Sequence, residues 1–382
     1  MWGKVSVSEE TPIIAVGLDF MNYSPIRSRV PSDSDWSSDI AKALSRRLVG
    51  QPAAIAAVVP YVEMYRARLA PEGRPAGIFL LLGPTGTGKT KTVEALADVL
   101  HGSPKKLLKV DCGEYQMEHE VAKLLGAPPG YLGHRETQPL LTQQKLSGSA
   151  SESCDLSILL FDEIEKAAPS LVRLLLGVLD KATLRLGDST VVNFEKTIIF
   201  MTSNLGARDM SQQLRPDFGF ESILPRNGVE ALEDQEGSGK LERIGKTAVR
   251  KNFSPEFINR IDSLVTYRPL DADALSAILD QHIDDLQDHI QRRLGERAFR
   301  IEVPPRSRKF LLDTGTSAEY GARELKRTLH RQLIQPLASM VVGGEIDPGN
   351  RVRAELGPSK ENLVLRNMDD GEANTGVMVR GA

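Results

Sequence analysis

Along this chain, short runs of consecutive apolar residues alternate with stretches in which apolar residues recur every three or four positions. The runs are "GIFLLL" (77–82), "LLKVD" (107–111), "SILLF" (157–161) and "KTIIFMTS" (196–203). A strand apolar on both faces is buried on both sides, and its alternation with helical stretches predicts a parallel sheet flanked by helices. Structure is expected to start near Asp39, because the polar run "PSDSDWSSD" before it makes residues 1–36 a loosely attached, flexible segment.

Residues 206–240 are rich in Gly, Pro and charge, which predicts a long surface excursion before helix resumes. After "TYRPLD" (266–271), Leu275, Leu279, Ile283, Leu286 and Ile290 fall on one helical face, and Gly295 ends that helix. A strand near 299–303 and helices at about 306–313 and 322–338 complete a smaller α/β unit. The expected division is a large domain over 37–268, a small one over 269–357, and a polar tail from 358 to 382 that is disordered from about 367. No internal repeat is visible.

Charge and composition remove several classes of function. With 382 residues and a formal net charge of -3, the chain is long enough for two domains and lacks the basic excess of a nucleic-acid or membrane-surface binder. Its longest apolar runs fall well short of the roughly 18 residues of a spanning helix. Glu9 and Glu10 precede the apolar stretch "TPIIAVGL" where a secretory signal carries positive charge, so a cytoplasmic location is expected. Cys112 and Cys154 make neither a disulfide framework nor a zinc cluster, and no "HExxH" occurs.

The chemistry concentrates in "GPTGTGKT", which sits between a strand and a helical stretch. Gly83, Pro84, Thr85, Gly86, Thr87, Gly88, Lys89 and Thr90 match the phosphate-binding loop G-x-x-x-x-G-K-[ST]. Its glycines let backbone N–H groups turn toward phosphates at a helix N-terminus. Lys89 is expected to reach the β and γ phosphates of ATP, and Thr90 to ligate Mg²⁺. In "ILLFDEIEKA" a strand ends in two carboxylates: Asp162 to hold Mg²⁺, directly or through water, and Glu163 to orient and deprotonate the attacking water. Asn204, at the tip of "TIIFMTSN", is placed to hydrogen-bond that water or the γ-phosphate.

These residues, in this order, resemble the AAA+ ATPases, and more closely the second ATPase module of the Clp unfoldases and heat-shock disaggregases. The likeness covers about residues 37–356 and rests also on "LVGQPAAI" (48–55), "VDCGEY" (110–115), "GAPPGYLG" (126–133), "VLDKATLRLGD" (178–188), "NFSPEFINRID" (252–262) and "YGARELKR" (320–327). The resemblance implies a P-loop AAA+ module with a C-terminal lid domain. It makes Val49 and Gly50 the segment beside the adenine, Asn204 sensor 1, Arg260 an arginine finger offered to a neighbouring subunit, and Arg323 sensor 2. Hydrolysis would then require a ring, by resemblance a homo-hexamer.

It also assigns Tyr131 and Leu132, held between glycines, to an axial pore loop that grips unfolded or misfolded polypeptide. An aromatic ring offers a broad apolar contact at low entropy cost. The chain differs from such proteins in carrying one ATPase module, about 36 leading residues and no coiled-coil insertion. Phe218, Gly219 and Phe220 lie where peptidase-partnered Clp ATPases carry an aliphatic-Gly-Phe loop, which suggests docking to a Clp-type peptidase. The function expected is ATP-driven, ring-forming protein unfolding without an intrinsic protease site. The alternatives are an AAA+ machine acting on nucleic acid and a nucleotide-gated factor that remodels one dedicated complex without general unfolding.

Overall fold

The computed structural model describes residues 39–126, 139–213, 230–316 and 321–368. The strands among the described residues, in chain order, are β1 (Gly77–Leu82), β2 (Leu108–Asp111), β3 (Ser157–Asp162), β4 (Thr183–Arg185), β5 (Val191–Asn193), β6 (Thr197–Ser203), β7 (Ser263–Thr266), β8 (Arg300–Glu302), β9 (Arg351–Leu356) and β10 (Leu363–Asn367). The main sheet is parallel in the order β2-β3-β6-β1-β7, with β4 and β5 forming a separate hairpin.

All six residues of β1 are buried because the sheet is covered on both faces. Alternate β1 residues separate cleanly: Ile78, Leu80 and Leu82 join the core on one face, and Phe79 and Leu81 the core on the other. Phe79 pairs in register with Phe200 of β6, and their rings stack 5.2 Å apart. This leaves the carboxyl ends of β1, β3 and β6 side by side, at the point where chain order reverses beside β1, where parallel α/β sheets bind ligands.

The second core belongs to the C-terminal unit. The helix Ala272–Leu294 is capped by Asp271, whose carboxylate accepts the N–H of Ala274 at 2.7 Å, and it ends at Gly295, φ 55°. Leu275, Leu279, Ile283 and Ile290 are buried and Leu286 partly so, against a mixed sheet in the order β10-β9-β8.

Several expected boundaries move. The helix Glu230–Asn252 takes up the last eleven residues of the expected excursion, and Ala207–Gln213 is helical as well. Buried Leu241, Gly245, Val249 and Phe253, spaced four apart, give the long helix its inward stripe. The last helix runs on from Ala322 to Gly343, through a π-helical stretch His330–Ile334. Pro336 cannot donate to an ordinary i−4 bond, and the widened turn just before it lets the helix continue. The tail expected from 358 begins instead with β10, whose Leu363, Val364 and Leu365 are buried against β9.

Candidate functional site

The phosphate-binding loop spans β1 and the helix Lys89–His101. Gly83 has φ 145°, and a Cβ there would lie 2.9 Å from the carbonyl oxygen of Tyr267, so only glycine lets the loop leave the sheet at this point. Tyr267 is fixed in turn: its N–H donates to Leu82 at 2.7 Å, and its hydroxyl donates to Thr92 at 2.7 Å. Gly88, φ 101°, stands at the N-cap with no side-chain cap, leaving the first N–H groups of the helix facing the loop. Thr87 Oγ1 closes the loop on itself by donating to the Pro84 carbonyl at 2.9 Å.

Lys89 lies inside this curl, 8% exposed. Its ammonium donates to the carbonyls of Gly83 (2.6 Å) and Pro84 (2.8 Å) and to Oδ1 of Asn204 (3.0 Å). Burial lowers its pKa to about 8, against the opposing pull of Glu165, Asp162 and Glu163, and the positive charge of Arg323 adds to the lowering. Asn204 is therefore brought against the lysine, and its Nδ2 also donates to Glu163 Oε1 at 3.4 Å.

Asp162 ends β3 and Glu163 follows it in a different setting. Burial opposes ionisation of Asp162, but Lys109 at 2.6 Å and the Thr202 hydroxyl outweigh it, and the carboxyl sits below the usual range. Thr90 Oγ1 faces the same carboxylate at 3.5 Å. Glu163 adopts φ 57°, ψ 51°, a left-handed conformation costing a non-glycine residue about 1–2 kcal/mol. It is held there by its N–H, which donates to Thr202 Oγ1 at 3.0 Å, and by an ion pair to Lys166 at 2.5 Å.

These residues suit a magnesium nucleotide. Mg²⁺ takes hard oxygens, usually one or two from the protein with phosphates and water for the rest. The Thr90 hydroxyl and an ionised Asp162 supply such a pair, while the uncapped helix end and the Lys89 ammonium suit the phosphates. No cluster of three or more His, Cys, Asp or Glu suited to a metal exists among the described residues. Cys112 does not enter this chemistry: burial pushes its thiol up to about 12.

Val49 is half-buried, and exposed Gly50 packs beside Leu270 and Ala274 at the start of the C-terminal unit. That unit also reaches the phosphate loop, where the N–H of Ala322 donates to the Gly86 carbonyl at 3.2 Å. Arg323 follows directly, exposed. Arg260 is not part of the cluster: its guanidinium donates to Glu256 at 2.9 Å and lies 3.6 Å from Asp180. Tyr131, Leu132, Phe218, Gly219 and Phe220 lie outside the described residues.

Four contributors were not expected. Lys109 and Thr202 hold Asp162, and Glu165 Oε1 accepts the Asn204 backbone N–H at 2.9 Å. Gln51, 4% exposed, donates to the carbonyls of Thr87 (3.1 Å) and Arg268 (2.8 Å), tying the Val49–Gly50 segment to the phosphate loop. A polar pair, Thr202 and Ser203, ending an otherwise apolar buried run was the one sequence signal that could have flagged any of these residues.

Residues 74–264 match the family of AAA domains (Cdc48 subfamily), and residues 270–354 match the C-terminal D2-small domain of ClpB. The chain is 35% identical over 335 residues to the chaperone protein ClpB of Meiothermus ruber, covering 87% of this chain and 36% of that protein. It is 34% identical over 322 residues to ClpB of Mycobacterium tuberculosis, covering 84% of this chain and 33% of that one. It thus spans about a third of the length of these relatives. Among solved structures, the S. cerevisiae Hsp104:casein complex in its extended conformation superposes with a TM-score of 0.70 at 29% identity, covering 86% of this chain and 51% of that one. The chain belongs to the AAA domain family (Cdc48 subfamily) and, with its D2-small domain, corresponds to a second ATPase module of the Clp type.

Proposed function

We propose that this chain hydrolyses ATP with Mg²⁺ as part of a ring and couples hydrolysis to pulling polypeptide through the ring's axis. The observation that carries the proposal is the single cluster of Lys89, Asn204, Glu163, Asp162 and Thr90 at the carboxyl ends of β1, β3 and β6. Lys89 binds phosphate in exchange for its loop carbonyls, and Asp162 and Thr90 hold the metal, which neutralises charge on the phosphates when bound. Asn204 orients the attacking water and Glu163 takes its proton. Arg323, next to the lid residue that touches Gly86, reads the bound nucleotide and transmits its state to the C-terminal unit. Arg260 completes the site of a neighbouring copy in a hexamer.

Polypeptide as the cargo is supported by the ClpB relatives and by the casein bound in the Hsp104 complex. In this reading Tyr131 and Leu132 grip the chain. Docking to a peptidase through Phe218, Gly219 and Phe220 would extend the function from remodelling to degradation. Among the described residues no helix is long and apolar enough to cross a membrane.

Addition of an unfolded, sequence-unrelated polypeptide is expected to stimulate ATP hydrolysis severalfold. Indifference to every such polypeptide would favour a factor dedicated to one complex, and salt-sensitive stimulation by DNA would favour the nucleic-acid reading.

The lowered Lys89 pKa gives a second expectation. Between pH 8 and 10.5 the unfolded chain holds a proton on this lysine that the nucleotide-free fold has lost, so the stability contributed by this group rises with pH across that window. Nucleotide binding runs the other way, because phosphates require the ammonium. Affinity should hold below pH 8 and fall by up to about tenfold per pH unit above it, read by fluorescent-ADP titration. A flat profile to pH 9.5 would show that the lysine stays charged.

A further inference from the structure

Glu165 lies two residues beyond Glu163, in the 3-10 turn Ile164–Lys166. Its Oε1 accepts the backbone N–H of Asn204 at 2.9 Å. Its Oε2 is buried and accepts no hydrogen bond among the described residues. A carboxylate oxygen shielded from water and left without a partner is costly, even on a residue that is itself half-buried.

What Glu165 holds is the residue with the most demanding geometry in the site. The Asn204 side chain spans two partners at once, with Oδ1 accepting from Lys89 at 3.0 Å and Nδ2 donating to Glu163 at 3.4 Å. One amide meets both only if its main chain is fixed. Asn204 lies just past β6, where the ladder stops: Ser203 is the last residue of the strand, and the Asn204 N–H donates to Glu165 in the turn after β3. The β3 turn thereby sets the β6 tip directly.

We propose that Glu165 is a positioning residue of the hydrolytic site, fixing the Asn204 main chain so that its amide lies between Lys89 and Glu163. This rests on the ATP-hydrolysis reading above. Because the contact needs an acceptor oxygen rather than a charge, glutamine serves in place of glutamate, whereas alanine does not.

The test uses the full chain carrying E165A, E165Q, N204A or E165A with N204A. Loss of the contact is expected to lower kcat about tenfold to a hundredfold in E165A with little change in KM, since displacements near 1 Å reach this size. E165Q should recover most of the loss. In the N204A background, E165A should add less than about twofold, because residues acting through one another are not additive. Amide exchange at Asn204 should accelerate about tenfold in E165A and not in E165Q, the scale of one lost hydrogen bond.

Wild-type kcat in E165A, an E165Q as impaired as E165A, or an equal E165A penalty with and without Asn204 would each overturn the proposal. Amide exchange also separates the two readings. If the wild-type chain hydrolyses no ATP, the functional reading fails, and unaltered Asn204 exchange in E165A would overturn the positioning role on its own. If E165A does not fold, E165Q still decides, by activity and by exchange.

Discussion

Replacing Arg260 by alanine is expected to lower ATP hydrolysis by about 10³- to 10⁵-fold while nucleotide affinity stays nearly unchanged, the range known for arginines supplied to a phosphoryl-transfer site. Two features point to a role in a neighbouring site. Arg260 lies two residues beyond the short helix Pro255–Ile258, and its carboxylate partners, Glu256 and Asp180, belong to none of the groups around Lys89. The segment is stapled beside β1 by Asp262, which accepts the N–H of Ile78 at 2.8 Å and pairs with Arg74 at 2.6 Å. The arginine is thus held close to β7, the outer strand of the main sheet beside β1. If it acts in trans, mixing R260A with E163Q recovers activity, because mixed rings place an intact Arg260 against an intact Glu163. Full activity in R260A alone would remove the arginine from the mechanism, and an inactive R260A with no recovery on mixing would remove its action in trans.

Glu163→Gln should reduce hydrolysis by about 10²- to 10⁴-fold, the contribution of a positioned general base. Glutamine keeps the size of the side chain and can still meet Asn204, so ATP should bind normally and persist on the protein. The backbone argues for the assignment independently. A left-handed glutamate directly after a buried strand is strained, and Thr202 holds that strain with the same oxygen that donates to Asp162. Lys166, whose ammonium pairs with the carboxylate at 2.5 Å, must release it for it to act as a base. An E163Q chain that hydrolyses ATP at the wild-type rate would remove Glu163 as the base.

The parts of this fold that were legible beforehand are those written in consecutive residues. β1, β3 and β6 announce themselves as unbroken apolar runs, and the phosphate loop as one uninterrupted motif. β7 was missed because it has only four residues, of which Val265 alone is buried, so its composition carries no clear period. β10 was hidden in a polar neighbourhood and gains its identity from pairing with β9. The helix Glu230–Asn252 contains Gly237 and Gly239 among charges, a loop-like composition that its later stripe from Leu241 to Phe253 overrides.

The site divides the same way. Lys89, Thr90, Asp162, Glu163 and Asn204 come together because each closes or follows a strand or motif that could be read. Lys109, Thr202, Glu165 and Gln51 could not be assigned, because their partners are set by strand register and by loops far away in sequence. Lys109 reaches Asp162 only because β2 and β3 align Asp111 with Asp162, and Gln51 bridges to Arg268 across 217 positions.

If ATP hydrolysis drives polypeptide through a ring, unfolding depends on the grip of Tyr131. The measurement is ATP-dependent unfolding of a tagged fluorescent protein by the assembled chain, wild type against Tyr131→Ala, with ATP hydrolysis recorded in the same samples. The variant is expected to hydrolyse ATP at a near wild-type rate and to lose unfolding. A wild-type chain that hydrolyses ATP and unfolds nothing, or a variant that unfolds as well as wild type, would contradict it.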